Sequence, residues 1–74
     1  MIDRNLIAIY RNATKEEIFE WLKTHQPAAR MNQYNTAGFD ERGRYRWRLA
    51  LHPEDPRVLF DREEDFVHFC MVWS

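Results

Sequence analysis

The sequence predicts a small α+β domain of order β-α-β-β-α, with three antiparallel strands and two helices packed on one face. Three observations carry this expectation. Two helix-starting sequences, Thr14-Lys15-Glu16-Glu17 and Asp61-Arg62-Glu63-Glu64, each precede an apolar stripe at helical spacing. The run Arg42-Gly43-Arg44-Tyr45-Arg46-Trp47-Arg48-Leu49 alternates charged and apolar residues with the period of a strand. Short apolar runs at 6–10 and 57–60 supply two further strands. The element order matches a ferredoxin-like plan without its last strand.

Each element has its own signal. Leu6-Ile7-Ala8-Ile9-Tyr10 is apolar on both faces, which suits a central strand. Thr14 and Glu17 form a capping box, and Ile18, Trp21, Leu22 and His25 then recur on one helical stripe. Pro27 ends that helix, because the residue before proline disfavours helical backbone. Residues 28–41 are polar and turn-prone and read as a long connection. The prolines of His52-Pro53-Glu54-Asp55-Pro56 stiffen a tight turn, so 44–60 reads as a hairpin. Asp61 is the expected cap of the last helix, whose inward stripe is Phe66, Phe69, Cys70 and Trp73.

Seventy-four residues make one domain, 1–74, near the size at which a core alone suffices. A single cysteine, Cys70, leaves no intramolecular disulfide, and no Cys/His spacing suggests zinc. Stability has to come from packing, for which an aromatic content of 15% supplies large side chains. The charged content is 31% and no apolar run approaches the about 20 residues needed to span a bilayer. With no signal peptide pattern at Met1-Ile2-Asp3-Arg4-Asn5, a cytoplasmic protein without a membrane partner is expected.

The binding character lies in the arginines. On a regular strand, Arg42, Arg44, Arg46 and Arg48 would line one face while Tyr45, Trp47, Leu49 and Leu51 line the other. Guanidinium groups form bidentate hydrogen bonds with carboxylate and phosphate, so such a row invites an anionic partner. Its alternatives are a solvated face that discourages edge pairing, or a row neutralised by acids on neighbouring strands. Tyr34, Phe39 and Trp73 are the candidate apolar anchors beside the arginines. Substituting Arg44, Arg46 and Arg48 by Ser is expected to abolish binding and leave the fold intact. Trp47→Ala, on the inward face, is expected to cost roughly 3–5 kcal/mol.

The net charge of −1 argues against a strongly basic nucleic-acid binder, although basic 42–48 and acidic 16–20 and 61–65 are segregated along the chain. Tyr45 and Trp47 alternate with the arginines and so cannot serve as stacking platforms on the same face. His25, His52 and His68 fall in three different elements and read as surface or capping residues. Cys70 lies on an apolar stripe and reads as an inert buried thiol. No catalytic residues, metal or cofactor are expected.

The ending Leu59-Phe60-Asp61-Arg62-Glu63-Glu64-Asp65-Phe66-Val67-His68-Phe69-Cys70-Met71-Val72-Trp73 resembles that of small uncharacterised bacteriophage accessory proteins. These close with a strand aromatic, an acidic cap, a mid-helix aromatic and a Trp before the terminus. The resemblance covers about a fifth of the chain, and Phe66 departs from it where a small residue is usual. It implies a folded module that binds and inhibits a host protein or nucleoprotein complex, and it carries over no site residues. The expected function is therefore a non-enzymatic protein-interaction module using the arginine row. The alternative is a small RNA or single-stranded DNA binder with the same arginines on phosphates. A homodimer that buries the apolar excess of the last helix is a third possibility.

Overall fold

The computed structural model describes residues 6–34, 36–52 and 54–73. It is α+β, with five strands where the sequence predicts three. The elements are β1 (Ile7–Ile9), α1 (Lys15–His25), β2 (Arg30–Met31), β3 (Ala37–Phe39), β4 (Tyr45–Leu49), β5 (Arg57–Phe60) and α2 (Glu63–Trp73). They form one antiparallel sheet in the order β1-β5-β4-β3-β2. The truncated ferredoxin-like plan does not survive this order. β1 is an edge strand paired antiparallel with β5, and its apolar residues on both faces do not mark a central position.

The two additional strands come from 28–41, the segment that reads as a connection. Asn32 closes the β2–β3 loop: its side-chain carbonyl accepts from the main-chain N–H groups of Thr36 and Ala37, and its amide donates to the Thr36 hydroxyl. β3 is then held against β4 by a close approach. A Cβ on Gly38 would lie 2.6 Å from the Ala28 Cβ and 2.8 Å from the Trp47 ring. Only glycine lets the strand pass there, and local sequence pattern contains nothing of that contact.

The helices pack on one face. Trp47, Leu49, Val58, Phe60 and Ala8 point to them across the sheet, and Ile18 and Leu22 of α1 and Phe69 of α2 complete the core. Phe19 of α1 meets Trp47 edge-on, while Phe69 contacts Tyr10 and Phe60. Trp21 joins the helices through Phe69 and Trp73. α1 begins as its sequence predicts, with the Thr14–Glu17 capping box formed in both directions. α2 begins later than expected. Its first turn closes from the Phe66 N–H onto the Arg62 carbonyl, which leaves Asp61 outside the helix with its carboxylate 3.6 Å from Arg44.

Candidate functional site: an arginine-rimmed groove

The site is built around the β3–β4 turn. Asp40 organises it: one carboxylate oxygen accepts from the main-chain N–H groups of Arg42 and Arg44, at 2.9 and 3.0 Å. The Asp40 carbonyl accepts from Gly43, whose φ of +85° lies in the left-handed region that glycine occupies without strain. The chain thus reverses on a hydrogen-bonded loop that presents Arg42 and Arg44. The Arg44 N–H, then that of Arg42, favour the charged carboxylate and lower the Asp40 pKa, with Arg62 and Arg42 adding a smaller electrostatic contribution.

Strand β4 starts only at Tyr45, and its alternation is broken at once. Gly38 pairs with Trp47, whereas Phe39 pairs with Tyr45, so Arg46 is an extra residue in β4. A bulge of this kind re-aims a side chain. The Arg46 guanidinium makes a two-pronged contact with Asp65 on α2, Nε–Oδ2 2.9 Å and Nη2–Oδ1 3.2 Å, and donates to the Pro27 carbonyl just beyond α1. Asp65 is 5% exposed. The hydrogen bond to Asp65 raises the Arg46 pKa still further, so the guanidinium stays charged. The neighbouring Gln26 is buried in the same junction: its carbonyl accepts from the Trp47 indole N–H and its side-chain amide donates to the Asp65 carbonyl.

The arginine row is therefore not one strand face. Arg42 is in the turn, Arg44 precedes the strand, Arg46 is turned inward by the bulge, and Arg48 lies exposed on β4 opposite Ala37 and Leu59. The expectation that Arg44, Arg46 and Arg48 can be exchanged together without harm to the fold is corrected at Arg46, which ties β4 to both helices.

The structure gathers a different set. Arg42, Arg44, Arg46 and Arg62 surround an open groove of about 630 Å³ whose floor includes Pro27, Ala28 and Ala29 and whose acids are Asp40, Glu41 and Asp61. Arg62 reaches Asp40 at 3.5 Å. Its place in the site is hidden in the sequence by its position within an apparent helix-starting motif; Asp40, two residues before Arg42 and four before Arg44, is the available clue. Neither Arg48 nor the anchor candidates line the groove. Tyr34 is 72% exposed in the β2–β3 loop, Phe39 is partly buried on β3, and Trp73 is packed against Trp21 and Phe69.

Among the described residues no helix is long and apolar enough to cross a membrane, and no group of three or more His, Cys, Asp or Glu side chains is placed to hold a metal ion. No family model, curated protein or solved structure matches the chain.

Proposed function

We propose that the protein is a non-enzymatic binding module that takes an acidic segment of a partner protein in the arginine-rimmed groove. The observation that supports this most is the state of the rim. Arg42, Arg44 and Arg62 are exposed, the Arg44 side chain by 69%, and the contacts of Arg44 and Arg62 with Asp61 and Asp40 are long, at 3.6 and 3.5 Å. Exposed ion pairs of this geometry contribute little and exchange readily. An incoming carboxylate can meet each guanidinium with two parallel hydrogen bonds, which the internal pairs do not achieve. Arg46, already bound to Asp65 and the Pro27 carbonyl, holds the wall.

The groove's composition favours a protein over a nucleic acid. Asp40, Glu41 and Asp61 stand among the four arginines and would repel a continuous phosphate chain, and the groove has no aromatic lining on which bases stack. Within this reading, the more specific role of a phage-encoded modulator of a host protein or nucleoprotein complex is supported by the resemblance of residues 59–73.

Titration with a Glu/Asp-rich peptide and with an oligothymidylate, each at low and high salt, tests the proposal. Saturable peptide binding that Arg42→Ser/Arg44→Ser/Arg62→Ser abolishes is expected. Preferential oligothymidylate binding, with a salt slope near −0.7 per phosphate contacted, would transfer the site to single-stranded nucleic acid.

A further inference from the structure

The two edges of the sheet are finished differently. β2 has only two residues, one of them Arg30, and runs into the loop that Asn32 closes. Short length and charge are the usual protection of an edge. β1, with three residues, is also short, but Ile7-Ala8-Ile9 carries no charge, no proline and no bulge.

Its outer hydrogen-bonding groups can be assigned. The Leu6 carbonyl accepts from the Phe60 N–H and the Tyr10 N–H donates to the Pro56 carbonyl, so Leu6, Ala8 and Tyr10 direct their main chain at β5. Alternation then turns the N–H and C=O groups of Ile7 and Ile9 outward. The side chains of both isoleucines lie on the sheet face away from the helices, where Ile9 is 52% exposed. On the other face, α2 packs over β1 and β5 and carries exposed Val67 and Met71, the latter 80% exposed.

We infer that β1 pairs with β1 of a second copy, antiparallel about a two-fold axis through Ala8. The pattern is self-complementary: Ile7 faces the partner copy's Ile9 and the reverse, giving four main-chain hydrogen bonds and an isoleucine cluster on the open face. Such a matched patch is what an isologous interface requires. Charge does not oppose it, because β1 is uncharged, Arg57 beside Ile9 is paired with Asp55, and the whole chain carries only −1. Three residues of strand fall well short of the about 1,200 Å² of a stable interface. The dimer is accordingly a weak one. It would present two arginine grooves on one particle, one from each copy, which raises avidity for a partner with repeated acidic segments.

Sedimentation velocity over protein concentrations up to about 1 mM tests this. A reversible shift from the 9.1 kDa monomer to twice that mass is expected. Ile9→Lys places a charge on the edge, and Ile9→Pro removes only an outward N–H; each should weaken self-association by at least about tenfold. Circular dichroism establishes that both variants remain folded, and either one suffices if the other does not. A monomer at every concentration would overturn the inference. So would a dimer indifferent to a folded Ile9 variant, which would place the contact elsewhere. The groove's peptide affinity plays no part in either outcome.

Discussion

Arg44 and Arg46 stand two residues apart, and the fold puts them to opposite uses. Arg46 is turned inward, bound through both prongs to a carboxylate that is almost wholly buried and through a third nitrogen to the end of α1. Arg44 projects into water beside a half-used carboxylate. Burial decides the difference. A charge removed from water is held by its partners and costs the fold dearly when one of them is lost, whereas an exposed charge contributes little to stability and remains available to a ligand. The inner wall of the groove is thus structural, and its rim is the surface proposed to meet a partner.

The largest effect that sharpens this contrast is at the wall. Arg46→Ala leaves Asp65 buried and unpaired and removes the Pro27 contact, and should cost about 3 kcal/mol in chemical denaturation. A loss below 1 kcal/mol would mean that Arg46 belongs with the rim. Next comes the backbone that supports the wall: Gly38→Ala drives a methyl group into Ala28 and the Trp47 ring, for an expected loss of about 2 kcal/mol, read as a lowered thermal midpoint.

Acid is a gentler probe of the turn. The folded state holds the Asp40 pKa below its ordinary 3.8, so its contribution to stability is present above that value and is lost as pH falls through the folded pKa. Asp40→Asn keeps an acceptor for the Arg42 and Arg44 N–H groups and removes the charge. The stability gap between wild type and this variant should therefore narrow as pH drops below about 4, to be followed by denaturation at a series of pH values. A gap independent of pH would show that the turn does not depend on the ionised carboxylate. The smallest effect on stability is expected at the rim, where Arg42→Ser/Arg44→Ser/Arg62→Ser should leave the denaturation midpoint essentially unchanged while abolishing peptide binding.

What was legible in the sequence was whatever local chemistry decides. Thr14 and Glu17 cap α1 as read, Trp47 and Leu49 face the core, and β4 and β5 form the expected hairpin. What escaped depends on contacts between distant segments. β3 exists because Gly38 fits beneath Trp47, and a turn-like run around it conceals a strand. The bulge at Arg46 invalidates the face assignment of every arginine before it, since a period-2 argument holds only in an uninterrupted ladder. β1 was misplaced for a related reason: apolar residues on both faces describe a strand in a sheet's middle and equally a terminal strand such as β1. Of the site, Arg42 and Arg44 were readable as exposed cations; Arg62 and Asp40 join them only through the tertiary fold.

The most direct test of the division between wall and rim is a proton–nitrogen NMR titration with a Glu/Asp-rich peptide, following the side-chain Nε–Hε signals of the arginines. Arg42, Arg44 and Arg62 should shift with a common saturation curve while Arg46 keeps its position and Arg48 is unmoved. Shifts confined to Arg48 and Arg57 on the open sheet face, or release of Arg46 from Asp65 on binding, would contradict it.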